Sequence, residues 1–160
     1  DREALYALLR ARKIPFEEVT HPAVWNMEEL HALRLPGEER ILKNLFLRDD
    51  NKRRYYLVSL DGGQTADLKA LRQILDSRPL SFAGAADLER LLGLQPGQVT
   101  PLGALRAPAG TVTVVLDASL RGQTVGVHPL ENTATIFLDL DDLAALLEDQ
   151  GVPVVWCPLS

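Results

Sequence analysis

Cysteine is nearly absent, with Cys157 the only one in 160 residues. That excludes a disulfide framework and a thiolate metal cluster, and nothing in the chain implies an oxidising compartment. Long apolar runs are missing too: no stretch approaches the roughly 20 residues that a membrane-spanning helix needs. No secretory signal opens the chain, so the expected location is the cytoplasm. The start at Asp1 without a methionine suggests a trimmed chain, which leaves room for a short missing leader. Positive charge is not in surplus either. A formal net charge of −5 argues against a protein that coats nucleic acid regardless of sequence, because such binding is driven by neutralising phosphates.

Familiar catalytic signatures are equally scarce. His21, His31 and His128 are scattered without an adjacent acidic cluster, whereas metal ligands usually recur at short helical or hairpin spacing. Neither a metal site nor a cofactor is expected. Cys157 lies near the C-terminus in an apolar context and no serine sits on a nucleophile elbow, so covalent catalysis is not expected. Neither a phosphate-binding glycine loop nor a dinucleotide fingerprint is present.

What is present is the composition of a globular protein, 46% apolar and 24% charged, long enough for one domain over residues 1–160 with a proper core. Ala4, Leu5, Leu8 and Leu9 predict a helix over 2–12, and Phe16 to Thr20 reads as a short strand. Asn26 with Glu29 forms a capping-box pattern for a helix to about Leu35, closed by Pro36-Gly37. Ile41–Leu47 and Tyr55–Leu60 predict a hairpin across the polar turn at Asp49–Lys52. Helices follow at 66–75 and 85–92, the second between Gly84 and Gly93. Strands are predicted at 112–116, 124–127 and 134–138, then a helix capped by Asp139 and Asp142, then a closing strand at 152–156. The strands group into hairpins and do not alternate regularly with helices. The expected fold is therefore α+β, with a mixed, largely antiparallel sheet flanked by helices.

Ile41–Leu47 is the unusual stretch. Side chains alternate across a strand, so Ile41, Lys43, Leu45 and Leu47 share one face and Leu42, Asn44 and Phe46 the other. Neither face looks solvated, and an ammonium among aliphatic neighbours costs several kcal/mol unless it is paired, hydrated or awaiting an anionic ligand. Lys43 and Asn44 are therefore candidate site residues; alternatively, Lys43 snorkels to the sheet edge and Asn44 caps a bulge. The loop from Gly126 to Thr135 is dense in hydrogen-bonding groups and stiffened by Pro129. It reads as a site or as a polar turn in which Asn132 and Thr133 satisfy their own backbone. Residues 34–78 carry ten Lys or Arg against seven Asp or Glu, a local excess that fits one piece of nucleic acid or a solvated face.

Several of these stretches occur together in a recognisable order: His21-Pro22-Ala23-Val24, Leu42-Lys43-Asn44-Leu45-Phe46-Leu47, Tyr55-Tyr56-Leu57-Val58, Asp67-Leu68-Lys69, Ser81-Phe82, Gly97-Gln98-Val99-Thr100-Pro101-Leu102-Gly103, and His128-Pro129 with Asn132-Thr133-Ala134-Thr135. The ordered set covers nearly the whole chain. It resembles the editing-domain superfamily of bacterial prolyl-tRNA synthetases, which includes the YbaK-type deacylases, and in particular its freestanding members that hydrolyse alanyl-tRNA(Pro).

The resemblance implies a reaction without a protein nucleophile, metal or cofactor. Water attacks the aminoacyl ester, assisted by the free hydroxyl of the terminal ribose. Lys43 would be the signature functional residue, and the loop holding Gly97, Thr100, Pro101 and Gly103 would present backbone amides to the ester. His128 and Asn132 would orient substrate or water, and Asn44 would hold the ribose or amino group. Val24, Met27 and Phe46 are the expected walls of a tight aminoacyl pocket. The implied partners are the tRNA(Pro) acceptor end carrying a small amino acid and, second to it, prolyl-tRNA synthetase, with no membrane involved. Two alternatives stay open: a deacylase of another mischarged tRNA such as cysteinyl-tRNA(Pro), and a non-catalytic module that binds nucleic acid or a synthetase.

Overall fold

The computed structural model describes residues 1–159. In chain order the elements are α1 (Arg2–Ala11), β1 (Glu17–Thr20), α2 (Met27–Ala32), β2 (Leu42–Asp49), β3 (Tyr55–Asp61), α3 (Leu68–Leu75), β4 (Leu80–Phe82), α4 (Ala85–Leu92), β5 (Val112–Asp117), β6 (Thr124–Val127), β7 (Ala134–Asp139), α5 (Leu140–Asp149) and β8 (Val154–Cys157). The helix starts follow from local chemistry. Asn26 accepts the Glu29 N–H at 2.8 Å, and the Glu29 carboxylate reaches back to the Trp25 N–H, one residue earlier than a standard capping box. Asp67 caps α3 and Asp139 caps α5 in the same way. The second helix is shorter than its pattern predicts: it stops at Ala32 and Arg34 turns left-handed at φ 50°.

The expected mixed, largely antiparallel α+β arrangement is found, divided between two sheets. One has the order β4-β2-β3-β5-β8, with β3–β5 and β5–β8 parallel and the remaining pairs antiparallel. The other is antiparallel, in the order β1-β7-β6. A single parallel bridge, Ile41 to Gly126, ties the start of β2 to β6. Strand alternation explains the burial. Leu42, Phe46, Leu57 and Leu116 enter the main core with α1, α4 and α5, while Leu47, Val58, Leu60 and Val115 face the other way, against Leu71 of α3. Both faces of β2 and β3 are thus covered, as their apolar sequences require.

Candidate active site

The site forms where β2 has a neighbour on only one side. Its pairing with β3 runs from Leu42 to Arg48, but β4 reaches it only from Leu47 to Asp49, extended by the Ala83 N–H donating to the Phe46 carbonyl. Main-chain groups alternate sides along an antiparallel strand. Those of Asn44 therefore point to the same side as the Phe46 carbonyl, where no strand continues. A cleft of about 210 Å³ fills this gap, small beside the roughly 300–1,000 Å³ of pockets for drug-sized ligands. Its walls are Val24, Trp25, Asn26, Met27 and Leu30 from α2 and the turn before it, Ile41 to Leu45 of β2, Gly97 and Val99, and Val127 with His128 after β6. Packing of Val24 and Leu30 on Ile41 and Phe137 holds α2 over the strand.

Lys43 is half-buried in this wall, and its Nζ donates only a long 3.4 Å bond, to the Gln64 carbonyl. Among the described residues no carboxylate pairs with it. An ammonium carries three donors, so most of its capacity is unspent. Asn44 is better fixed: its Oδ1 accepts the Ser59 hydroxyl at 2.6 Å, and its Nδ2 lies 3.4 Å from the Leu42 carbonyl. Ser59 sits directly across from Asn44 in the register and is buried.

Behind the cleft, Asn132 and Thr133 do not satisfy their own backbone but hold the segment 21–24. Asn132 Nδ2 donates to the Val24 carbonyl at 2.7 Å, its carbonyl accepts the Val24 N–H, and the Thr133 carbonyl accepts the His21 N–H. The His21 ring is pinned between the Pro22 carbonyl and the Thr135 hydroxyl, each at 2.9 Å. The His128 Nδ1 lies 3.0 Å from the Ala134 carbonyl, which can only accept, so the proton is assigned to Nδ1. Burial pushes the His128 pKa below the ordinary 6.5; the Ala134 carbonyl opposes this and the neighbouring His21 adds to it. A neutral ring with Nε2 as acceptor therefore lines the cleft at pH 7.

The structure brings together Val24, Met27, Lys43, Asn44, Gly97 and His128, and leaves the other sequence-predicted residues outside the wall. Phe46 stacks on Tyr55 at 5.6 Å inside the core, because the alternation that buries Leu42 buries it too. Asn132 acts through Val24. Thr100, Pro101 and Gly103 are buried: the Thr100 hydroxyl and carbonyl accept the Leu102 and Gly103 N–H groups and start a 3-10 helix at Pro101–Arg106, a segment that reads in sequence as a loop. Of this loop, Gly97 and Val99 line the cleft, and their N–H groups donate to no group among the described residues. Gly97 has φ +89°, and a Cβ there would lie 2.8 Å from the Trp25 Cα, so only glycine fits. Trp25 is among the lining residues that sequence reasoning missed, with Leu30, Val99 and Val127; its single signal is an indole beside a helix cap.

A lysine with unspent donors, two residues with free amides and a neutral imidazole line a small cleft with no Ser, Thr or Cys in its wall. Cys157 is buried three strands away in the sheet order, its thiol pushed up by burial. Such a set suits stabilisation of charge developing on a carbonyl oxygen. The chain belongs to the aminoacyl-tRNA editing domain family, whose profile matches residues 21–146. It is 38% identical over 151 residues to the prolyl-tRNA editing protein ProX of Acetoanaerobium sticklandii, covering 94% of this chain and 92% of that protein. It is 36% identical over 157 residues to the prolyl-tRNA synthetase associated domain-containing protein 1 of Bos taurus, covering 94% and 90%. The fold is shared with a crystal structure of a proposed trans-editing enzyme for prolyl-tRNA synthetase, at a TM-score of 0.71 and 22% identity over 98% of this chain and 95% of that one.

Proposed function

We propose that this protein is a trans-acting deacylase that releases alanine from mischarged alanyl-tRNA(Pro). The observation that carries the reading is Lys43, a half-buried ammonium without a carboxylate partner in the wall of a cleft sized for a small group. The relatives named for prolyl-tRNA editing support tRNA(Pro) as the carrier, with prolyl-tRNA synthetase, whose error is corrected, as the second partner. Water adds to the ester carbonyl, helped by the free hydroxyl of the terminal ribose; the acyl–oxygen bond then breaks and the ribose oxygen leaves with the proton. Lys43 and the Gly97 and Val99 N–H groups stabilise the developing oxyanion, and the partly dry wall makes each count for more than in water. His128 accepts a hydrogen bond from water or substrate through Nε2. Asn44 holds the ribose or the amino group.

The need for such an enzyme follows from magnitudes. A pocket built for proline rejects alanine weakly, since a missing methylene is worth only about 1–3 kcal/mol. A second sieve walled by Val24 and Met27 admits alanine and excludes the proline ring. Single-turnover hydrolysis of alanyl-, prolyl- and cysteinyl-tRNA(Pro) tests this. Fast release of alanine alone is expected, slowed about 100-fold or more in Lys43→Ala with an unchanged circular dichroism spectrum. Preferential release of cysteine moves the specificity to cysteinyl-tRNA(Pro). If no ester is cleaved above the spontaneous rate, the deacylase reading fails and a binding module takes its place.

A further inference from the structure

Four large apolar side chains stand in solvent: Trp25, Ile74, Phe82 and Val155. Of these only Trp25, 48% exposed, lies in the wall of the cleft. An indole half in water forgoes hydrophobic free energy that is recovered only when something covers it. The rest of the chain nevertheless holds this one in place. The Trp25 main-chain N–H donates to the Glu29 carboxylate, the preceding Val24 is bound through both main-chain groups to Asn132, and Gly97 lies against the Trp25 Cα, carbonyl and Cε3. Trp156, by contrast, has its ring face occupied by the Arg121 guanidinium, 4.3 Å from the centroid. No ring or cation covers Trp25 among the described residues.

We propose that Trp25 is a stacking platform for the purine base on the ribose that carries the aminoacyl ester, an inference that rests on the deacylase reading of the cleft. The ester, the ribose and the base are joined in one nucleoside. With the ester beside Lys43 and the cleft too small for the whole, the base emerges at the lip, where the indole stands. Every base offers a π-face, and removal of one stacking aromatic weakens binding by about 5- to 100-fold. A residue whose main chain is held before binding gives up less freedom on contact, which keeps more of that gain.

The test uses Trp156→Phe protein, in which Trp25 is the only indole. It is titrated with 3′-alanylamino-3′-deoxyadenosine, a non-hydrolysable amide, and with the same alanylamino sugar lacking the base. Saturable quenching of Trp25 by the first probe and none by the second is expected. In steady-state hydrolysis of alanyl-tRNA(Pro), Trp25→Ala raises KM by about 5- to 100-fold with kcat within about twofold, and Trp25→Phe restores most of the loss. A merely structural role would lower kcat or melting temperature and would not discriminate the two probes. Equal affinity for both probes without quenching, or an unchanged KM in Trp25→Ala, overturns the proposal. Wild-type protein that binds and is quenched but releases no alanine refutes the deacylase reading while leaving the stacking contact demonstrated.

Discussion

At the scale of single residues the site depends on groups held in one chemical state. His128 is the clearest case, because burial lowers its pKa from 6.5 while the Ala134 carbonyl fixes its proton on Nδ1. A histidine whose folded pKa lies below the unfolded value adds stability that is fully present above pH 6.5. That stability is lost as pH falls through the window beneath it, since the unfolded chain binds the proton more readily. The melting temperature of the wild type should thus fall more steeply between pH 7.5 and pH 5 than that of His128→Gln, by about 2–4 °C for each kcal/mol of linkage. Parallel melting profiles would show that the imidazole is not held neutral by burial. Lys43 and Asn44 stand out in the sequence because a polar pair interrupts an apolar strand. Their partners, Gln64 in the loop after β3 and Ser59 across the strand pair, do not stand out, since both depend on how β3 is set against β2, a register that residue order alone leaves unspecified.

At the scale of elements, local rules carried far. The α4 helix is bounded by Gly84 and Gly93 as the sequence predicts, and the Asn26 and Asp139 side chains accept the N–H three residues on, although the Glu29 carboxylate returns to Trp25 and not to Asn26. Two features were illegible for physical reasons. β4 has three residues and no period to detect, and the partition into two sheets depends on β1 pairing with β7, more than a hundred residues away. The 97–103 stretch reads in sequence as one loop with one role, yet the structure splits it between a turn at the cleft and a buried 3-10 helix. Two alanine substitutions separate those halves. Gly97→Ala forces a side chain onto the Trp25 backbone at positive φ and should destabilise by about 1–3 kcal/mol and cut deacylation at least tenfold. Gly103→Ala meets the Leu94 side chain at 2.7 Å and should cost about 1–3 kcal/mol through overpacking, with the rate per folded molecule unchanged. A large catalytic defect in the second variant, measured at equal folded fraction, would return the oxyanion donors to the buried half.

At the scale of the whole molecule, charge is distributed against its sum. The chain is at −5, yet Lys52, Arg53 and Arg54 stand exposed in the turn between β2 and β3, about 20 Å along β2 from Lys43 at roughly 3.3 Å per residue. That turn offers a polyanion at the cleft a line of attraction that the net charge of the chain does not. Lys52→Glu with Arg53→Glu should raise KM for alanyl-tRNA(Pro) by about tenfold at low salt and flatten the salt dependence of binding by about 0.7–0.9 per lost contact, with kcat unaffected. An identical salt slope in the double variant would place the RNA on another face. Among the described residues no helix is long and apolar enough to cross a membrane.

The unpartnered edge of β2 has a consequence for solubility. A free strand edge normally invites another chain to pair with it, and proteins blunt such edges with charge, bulges or cover. Here the exposed main chain of Asn44 lies at the bottom of a narrow crevice, between an inward lysine and the side chains of α2. A single small acyl group can enter there, and an extended polypeptide cannot. The narrowness proposed to keep proline out would then also keep neighbouring copies from zipping together, so variants that widen the crevice in search of broader specificity should aggregate sooner than their melting temperatures suggest.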